Sequence, residues 1–195
     1  MTNEREQLVS FIRNIFMMPL AHAEDIASRF QLRTFQKQDF LLKEGRPCRD
    51  YYFLENGYAR AFTHNLYGED VTTSFYSPGQ VVCELYAFFK RIPSKENIQA
   101  LCDCRTWFIG YNELQDAFHS LPSFREFGRS ILVNSYAFLK ARMLSMLQET
   151  AEERYAHLMK NNPDIFQHAP LKQIASYLGV TDSSLSRIRI NSTFS

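Results

Sequence analysis

Between Gln31 and Tyr111 the apolar residues change their period, and that change limits the possible folds more than any other feature of the chain. Up to Phe30 they recur at helical spacing. Leu8, Phe11, Ile12, Ile15 and Phe16 make one stripe, Pro19 interrupts it, and a short second helix is expected over Ala23–Phe30. Then come short aromatic and β-branched runs: Phe35–Leu42, Tyr51–Leu54, Tyr58–Thr63, Val71–Tyr76 and Thr106–Tyr111. Turn residues separate them at Gly45, Asn56-Gly57, Gly68 and Pro78-Gly79. Asn-Gly between two such runs predicts a hairpin. Many short strands at this spacing predict a closed barrel or jelly roll, and a content of 17 Phe and 10 Tyr suits a β-rich core. Near the middle, Glu84–Arg91 reads as one helical turn, either a lid on the barrel or an anion site built on free backbone N–H groups.

After Tyr111 the pattern is helical again. Asn112–Phe118 is a short helix, and Pro122 precedes a long one over Ser123–Leu147. Along it Leu132, Tyr136, Leu139, Met143 and Met146 follow coiled-coil spacing. Phe127, Ile131 and Phe138 form a second stripe, so that one face could cover the barrel while the other meets a twin helix. The seam spans only about two heptads, which leaves packing within the chain's own domain open. Thr150-Ala-Glu-Glu153 is a capping box and the expected domain boundary; the helix it opens carries Tyr155, Leu158 and Met159 and ends at Asn161-Asn162-Pro163.

Leu171–Ile190 has the grammar of two helices around a tight turn. Leu171, Ile174, Ala175 and Leu178 share a face, and Gly179 stands where a helix end wants a left-handed residue. Thr181 or Asp182 can cap the next helix. In that helix Leu185 and Ile188 point inward, while Ser183, Ser184, Ser186, Arg187 and Arg189 lie off that face. Hydroxyls and guanidinium groups contact phosphates, and Arg also reads guanine. The stretch therefore reads as a helix-turn-helix, with an ordinary helical hairpin as the competing reading.

Other classes are disfavoured. The net charge is +1, so any basic surface must be local. Cys48, Cys83, Cys102 and Cys104 match neither a zinc finger nor a CxxC pair and read as free, mostly buried thiols, with Cys102 and Cys104 on one strand face. The histidines show no metal spacing, and no nucleophile–base constellation or Gly-rich phosphate loop is present. No catalytic or metal-ligating residue is assigned. The polar start lacks a secretory signal and no apolar run is long enough for a membrane span, so a soluble, cytoplasmic chain is expected, with no membrane partner.

The order of parts resembles the Crp/Fnr family of bacterial transcription regulators. The resemblance rests on Leu42-Lys-Glu-Gly45, Tyr52-Phe-Leu-Glu-Asn-Gly57 and Ser77-Pro-Gly79 in the barrel. In the head it rests on Ile174-Ala175, Leu178-Gly-Val-Thr181 and Leu185-Ser-Arg-Ile188. It implies a homodimer reading a near-palindromic site on double-stranded DNA, and it leaves RNA polymerase open as a further partner. On that pattern Ser183, Ser186 and Arg187 match base-reading positions. Thr181, Ser184, Arg189, Lys172 and Gln173 are placed for phosphates, and Asp182 for a cap or a cytosine amino group. Leu132, Tyr136, Leu139, Met143 and Met146 become the dimer interface.

The effector site departs from the family pattern. Cyclic-nucleotide binders of this kind carry Gly-Glu-Leu at the inner helix and an Arg-Ser/Thr pair soon after. Here Cys83-Glu84-Leu85 keeps only the Glu and Leu, and Ser94-Lys95-Glu96 contains no arginine. Lys95 supplies charge without a planar fork. The expected effector residues are Glu84, Leu85 and Lys95, with weak or no cyclic AMP binding and an unidentified small molecule, or none, in the barrel. The N-terminal cysteine cluster of an iron–sulfur sensor is absent, and no His or Cys stands out as a haem ligand; no cofactor is assigned.

The reading is an α+β chain. Residues 1–122 form a cyclic nucleotide-binding-like β-barrel or jelly roll with N-terminal helices, 123–149 a long dimerisation helix, and 150–195 a small helix-turn-helix domain. The short link from Asn161 to Leu171 and the end at Ser195 imply a minimal head without a β-wing, with few phosphate contacts beyond the motif. Beside the regulator stands a second reading, an effector-sensing or protein-interaction module whose head does not read DNA.

Overall fold

The structure, a computed structural model, describes residues 4–193. The expectations that rest on the first three residues and on the end at Ser195 lie outside the described residues. The architecture is α+β. Two helices, α1 (Glu6–Ile15) and α2 (Leu20–Ser28), precede eight strands: β1 (Gln31–Phe35), β2 (Phe40–Leu42), β3 (Asp50–Asn56), β4 (Ala59–His64), β5 (Asp70–Tyr76), β6 (Gln80–Val82), β7 (Asn97–Ala100) and β8 (Cys104–Gly110). A short helix, α3 (Leu85–Lys90), lies between β6 and β7. The strands form two antiparallel four-stranded sheets, ordered β1-β8-β3-β6 and β2-β7-β4-β5.

Three sequence readings change here. Phe35–Leu42 is not one strand: Gln38 turns through φ 74° and sends β1 and β2 into different sheets. Asn56-Gly57 is not a hairpin turn, because β3 and β4 do not pair; the chain crosses there from one sheet to the other. Gly57 makes that crossing at φ 96°, so close to the start of the neighbouring strand β8 that a Cβ would meet Cys104 Sγ at 2.7 Å. The true hairpin is β4–β5, with the Asn65 side chain accepting from Tyr67 N and Glu69 N. Cys102 lies in the bend before β8 and is partly exposed, so it shares no strand face with the buried Cys104.

The remaining helices are α4 (Tyr111–Ser120), α5 (Pro122–Gln148), α6 (Ala151–Asn161), α7 (Ile165–His168), α8 (Leu171–Leu178) and α9 (Asp182–Thr193). One core joins the barrel (Phe53, Leu54, Ile98, Trp107, Ile109) to α1 and α2 (Leu8, Ile12, Ile26, Phe30) and to the first turns of α5 (Phe124, Phe127, Ile131). Past Ile131 the second α5 stripe stops being covered: Phe138, expected on the barrel, is 54% exposed. A second cluster fills the head with Tyr155, Leu158, Ile165, Ile174, Leu178, Leu185 and Ile188, and it takes in Phe75 and Leu101 from the barrel.

Candidate nucleic-acid interface

At the start of α6 the expected capping box is present: Thr150 Oγ1 accepts from Glu153 N, and the Glu153 carboxylate accepts from Thr150 N. From Asn162 to Pro170 the chain holds the single turn of α7 and, among the described residues, no strand. In α8, Ile174, Ala175 and Leu178 are buried, whereas Leu171, expected on the same face, is 38% exposed. Gly179 ends α8 at φ 69° and ψ 33°, and Val180 N closes the turn on Ala175 O at 3.0 Å. Thr181 is the cap of α9, its hydroxyl accepting from Ser184 N at 3.2 Å. That settles the choice left open between Thr181 and Asp182, which stands in the first turn of the helix.

α9 is anchored by Leu185 (1% exposed) and Ile188 (5%). Ser183, Ser186 and Arg187 are exposed on the opposite side, Arg189 is exposed next to the anchors, and Ser184 is half-buried. Arg187 lies along the helix with an Nη 3.4 Å from Ser184 Oγ, and Ser186 Oγ donates to Asp182 O. The hydroxyl-and-guanidinium face is therefore presented as the spacing requires. Lys172 is exposed, but Gln173 is half-buried with Oε1 turned away from solvent and without a hydrogen-bond partner. Of its amide, only the NH2 end could serve a phosphate contact.

Three elements hold the head, none of them read from the sequence. The Ser176 hydroxyl accepts from Thr72 N at 2.9 Å and donates to Asp70 O at 3.2 Å, docking α8 on β5. The Phe75 and Tyr177 rings meet at 5.0 Å, and Tyr58 stacks on His168 at 4.2 Å. From α5, Arg142 covers the Tyr177 ring at 3.6 Å and donates to its carbonyl, while Met146 touches the Gly179 turn. Arg60 is buried behind this joint, donating to Asp70 and lying over Phe62.

The long face of α5 carries an exposed apolar strip: Leu132 (40%), Tyr136 (69%), Leu139 (66%), Met143 (45%) and Met146 (40%). Val133, Leu144 and Leu147 widen it. Among the described residues the strip stays largely open, with Leu132 beside the Phe124 and Phe127 core at one end and Met146 against the Gly179 turn at the other.

Inside the barrel, Glu84 is the cap of α3. Its carboxylate accepts from Tyr86 N at 3.1 Å and Ala87 N at 2.7 Å. Two of the N–H groups on which the anion reading rests are thus taken by a carboxylate. Leu85 is half-buried against the core, and Lys95 is exposed, its carbonyl accepting from Thr63. Burial and the nearby Glu84 charge push the Glu96 carboxyl up, against a lowering contact from Thr73. The segment Ser94-Lys95-Glu96 thus carries one partly buried carboxylate and one exposed lysine.

Residues 32–120 match the cyclic nucleotide-binding domain family. Over 167 residues the chain is 24% identical to an anaerobic regulatory protein of Pasteurella multocida, covering 80% of this chain and 60% of the relative. Over 170 residues it is 25% identical to the fumarate and nitrate reduction regulatory protein of Vibrio cholerae, covering 80% and 66%. The chain thus spans less than two thirds of the length of these relatives. Among solved structures, FixK2 of Bradyrhizobium japonicum superposes with a TM-score of 0.70 at 18% identity, covering 83% of each chain. CLP of Xanthomonas campestris, a c-di-GMP-responsive global regulator, gives 0.71 at 14% identity, covering 90% of this chain and 92% of the other. These likenesses establish the fold: a cyclic nucleotide-binding-type barrel, a long helix and a helix-turn-helix. With the barrel, the long helix and the helix-turn-helix in the same order, and with distant relatives along four-fifths of its length, the chain is similar in fold to Crp/Fnr-type regulators.

Proposed function

We propose that the protein is a sequence-specific DNA-binding transcription regulator. It pairs through the apolar strip of α5 and presents two copies of α9 to successive major grooves of a near-palindromic site. The observation that carries this reading is the two-sidedness of α9: Leu185 and Ile188 buried, Arg187, Ser183 and Ser186 free of the core. Arg187 is the guanine reader, suited to bidentate contact with O6 and N7. Ser183 and Ser186 contact neighbouring base edges. Lys172, Ser184 and Arg189 contact phosphates, with Gln173 and Thr181 in lesser roles because both are partly engaged within the head. The functional units are residues 1–122, 123–149 and 150–195.

The barrel responds to a small molecule other than cyclic AMP, or to none. Cys83 replaces the expected glycine, Glu84 is occupied as a helix cap, and Ser94-Lys95-Glu96, where the phosphate-binding arginine is expected, holds a carboxylate and no arginine. Any effector lies against Glu84 and Leu85, with Lys95 at the rim.

The test is a titration of duplex fragments from the protein's own promoter region at moderate salt, with wild type and Arg187→Ala. Wild type should prefer one fragment. The variant should lose about 1–3 kcal/mol of discrimination on that fragment while keeping residual, salt-sensitive binding. If the variant discriminates as wild type does, Arg187 is misassigned. If wild type binds no duplex above the background of a scrambled one, the module reading without DNA readout replaces this one.

A further inference from the structure

Cys48 and Cys83 are 35 residues apart in sequence, yet their sulfur atoms lie 3.8 Å apart in the barrel interior. β3 and β6 bring them there: Tyr52 pairs with Val82, and the two cysteines stand just beyond that end of the ladder. We propose that Cys48 and Cys83 are a redox-active thiol pair that forms an intramolecular disulfide on reaction with a small hydroperoxide.

The two sulfurs differ in a way that assigns their roles. The two thiols lie within hydrogen-bond reach, either able to donate, and Cys48 Sγ also reaches Asp50 O at 3.7 Å; the contact with Cys83 holds Cys48 below the ordinary thiol range against the cost of its burial, and the backbone N–H of Glu84 acts in the same direction. Burial pushes Cys83 well above that range, so it keeps its proton. Cys48 is the attacking sulfur and Cys83 the resolving one.

In the first step the Cys48 thiolate attacks the terminal oxygen of the hydroperoxide. The O–O bond breaks, a sulfenic acid forms, and the alkoxide or hydroxide leaving group takes up a proton. In the second, Cys83 sulfur attacks Cys48 sulfur. The S–O bond breaks, and the departing hydroxide takes the Cys83 proton to give water. Overall two thiols and one hydroperoxide give a disulfide, an alcohol or water, and a further water, with two electrons passing from sulfur to oxygen. The sulfurs must close from 3.8 Å to about 2 Å. With Cys48 7% and Cys83 9% exposed, small oxidants reach the pair more readily than bulky disulfides. The bridge would tie the segment before β3 to the cap of α3, next to Glu84.

Cys102 and Cys104 provide the internal control. Cys102 is the more exposed of these two, so unselective oxidation would strike it first, whereas burial raises the Cys104 thiol to about 12. The experiment uses the reduced full-length chain and hydrogen peroxide in modest excess. Remaining thiols are alkylated under denaturing conditions, and tryptic peptides are mapped without reduction. The proposal expects peptide Glu44–Arg49 linked to Ala61–Lys90 at monomer mass, separated again by dithiothreitol. It also expects Cys83→Ser to accumulate a sulfenic acid at Cys48 that dimedone traps. Full alkylation of both cysteines, a link made through Cys102 or Cys104 instead, or oxidation of Cys48 to sulfinic acid without a bridge in wild type would each overturn it. None of these readouts depends on DNA binding.

Discussion

Gly179→Ala probes the joint between the long helix and the C-terminal head. The residue stands at φ 69°, and a Cβ built there lies 2.6 Å from Met146 Cε. Two costs add. An L-residue held in the left-handed region loses about 1–2 kcal/mol. The Met146 terminus must also swing away, and because it is the end of a flexible side chain that costs about 0.5–1 kcal/mol. The sum is about 1.5–3 kcal/mol, which on a chain of this size lowers the melting midpoint by roughly 3–12 °C. Thermal and urea unfolding of Gly179→Ala, Met146→Ala and the double variant separate the two parts. In the Met146→Ala background the steric part is gone, so the glycine substitution should cost only about 1–2 kcal/mol. A Gly179→Ala protein within about 0.5 kcal/mol of wild type, or an equal cost in both backgrounds, would refute the reasoning.

Glu96→Gln tests the barrel interior through pH. Burial raises the folded-state carboxyl, so folding favours its protonated form: the contribution to stability is present below the ordinary carboxylate range and lost as pH rises through the raised value. The amide should therefore stabilise the protein at neutral pH and bring no gain near pH 4; urea midpoints at both pH values check it, and a loss at neutral pH would contradict it. Ser176→Ala removes the acceptor of Thr72 N–H and should cost about 1–2 kcal/mol in urea unfolding; a neutral result would mean that α8 is not docked on β5 in solution. Tyr136→Asp and Leu139→Asp place charges on α5 side chains 69% and 66% exposed, so the fold should survive by circular dichroism while sedimentation shows monomers; dimers of unchanged affinity would remove the α5 strip as the interface.

The head was readable because its determinants are local. Gly179, Thr181, Leu185 and Ile188 act within one or two turns of one another, and each stands in the state its spacing implies. The barrel was readable as a class but not in detail. The short strands β6 and β7 carry too few residues to show a period, and Asn56-Gly57 is equally compatible with a hairpin and with a crossing between sheets. What joins the parts was not legible. The seat of Ser176 on β5, the reach of Arg142 to Tyr177 and the meeting of Cys48 with Cys83 depend on register between distant segments, which one sequence does not display. The occupation of Glu84 was hidden for a different reason: the same carboxylate serves equally well as a ligand contact or as a helix cap, and only the backbone geometry separates the two.

The most direct measurement is selection of bound duplexes from a random library by the full chain at near-physiological salt, repeated with Arg187→Ala. The account predicts enrichment of two inverted half-sites about one helical turn apart, each with a guanine at a fixed position, and loss of preference at that position in the variant. Failure to enrich any sequence, or an enriched site that keeps its guanine preference without Arg187, would contradict the account.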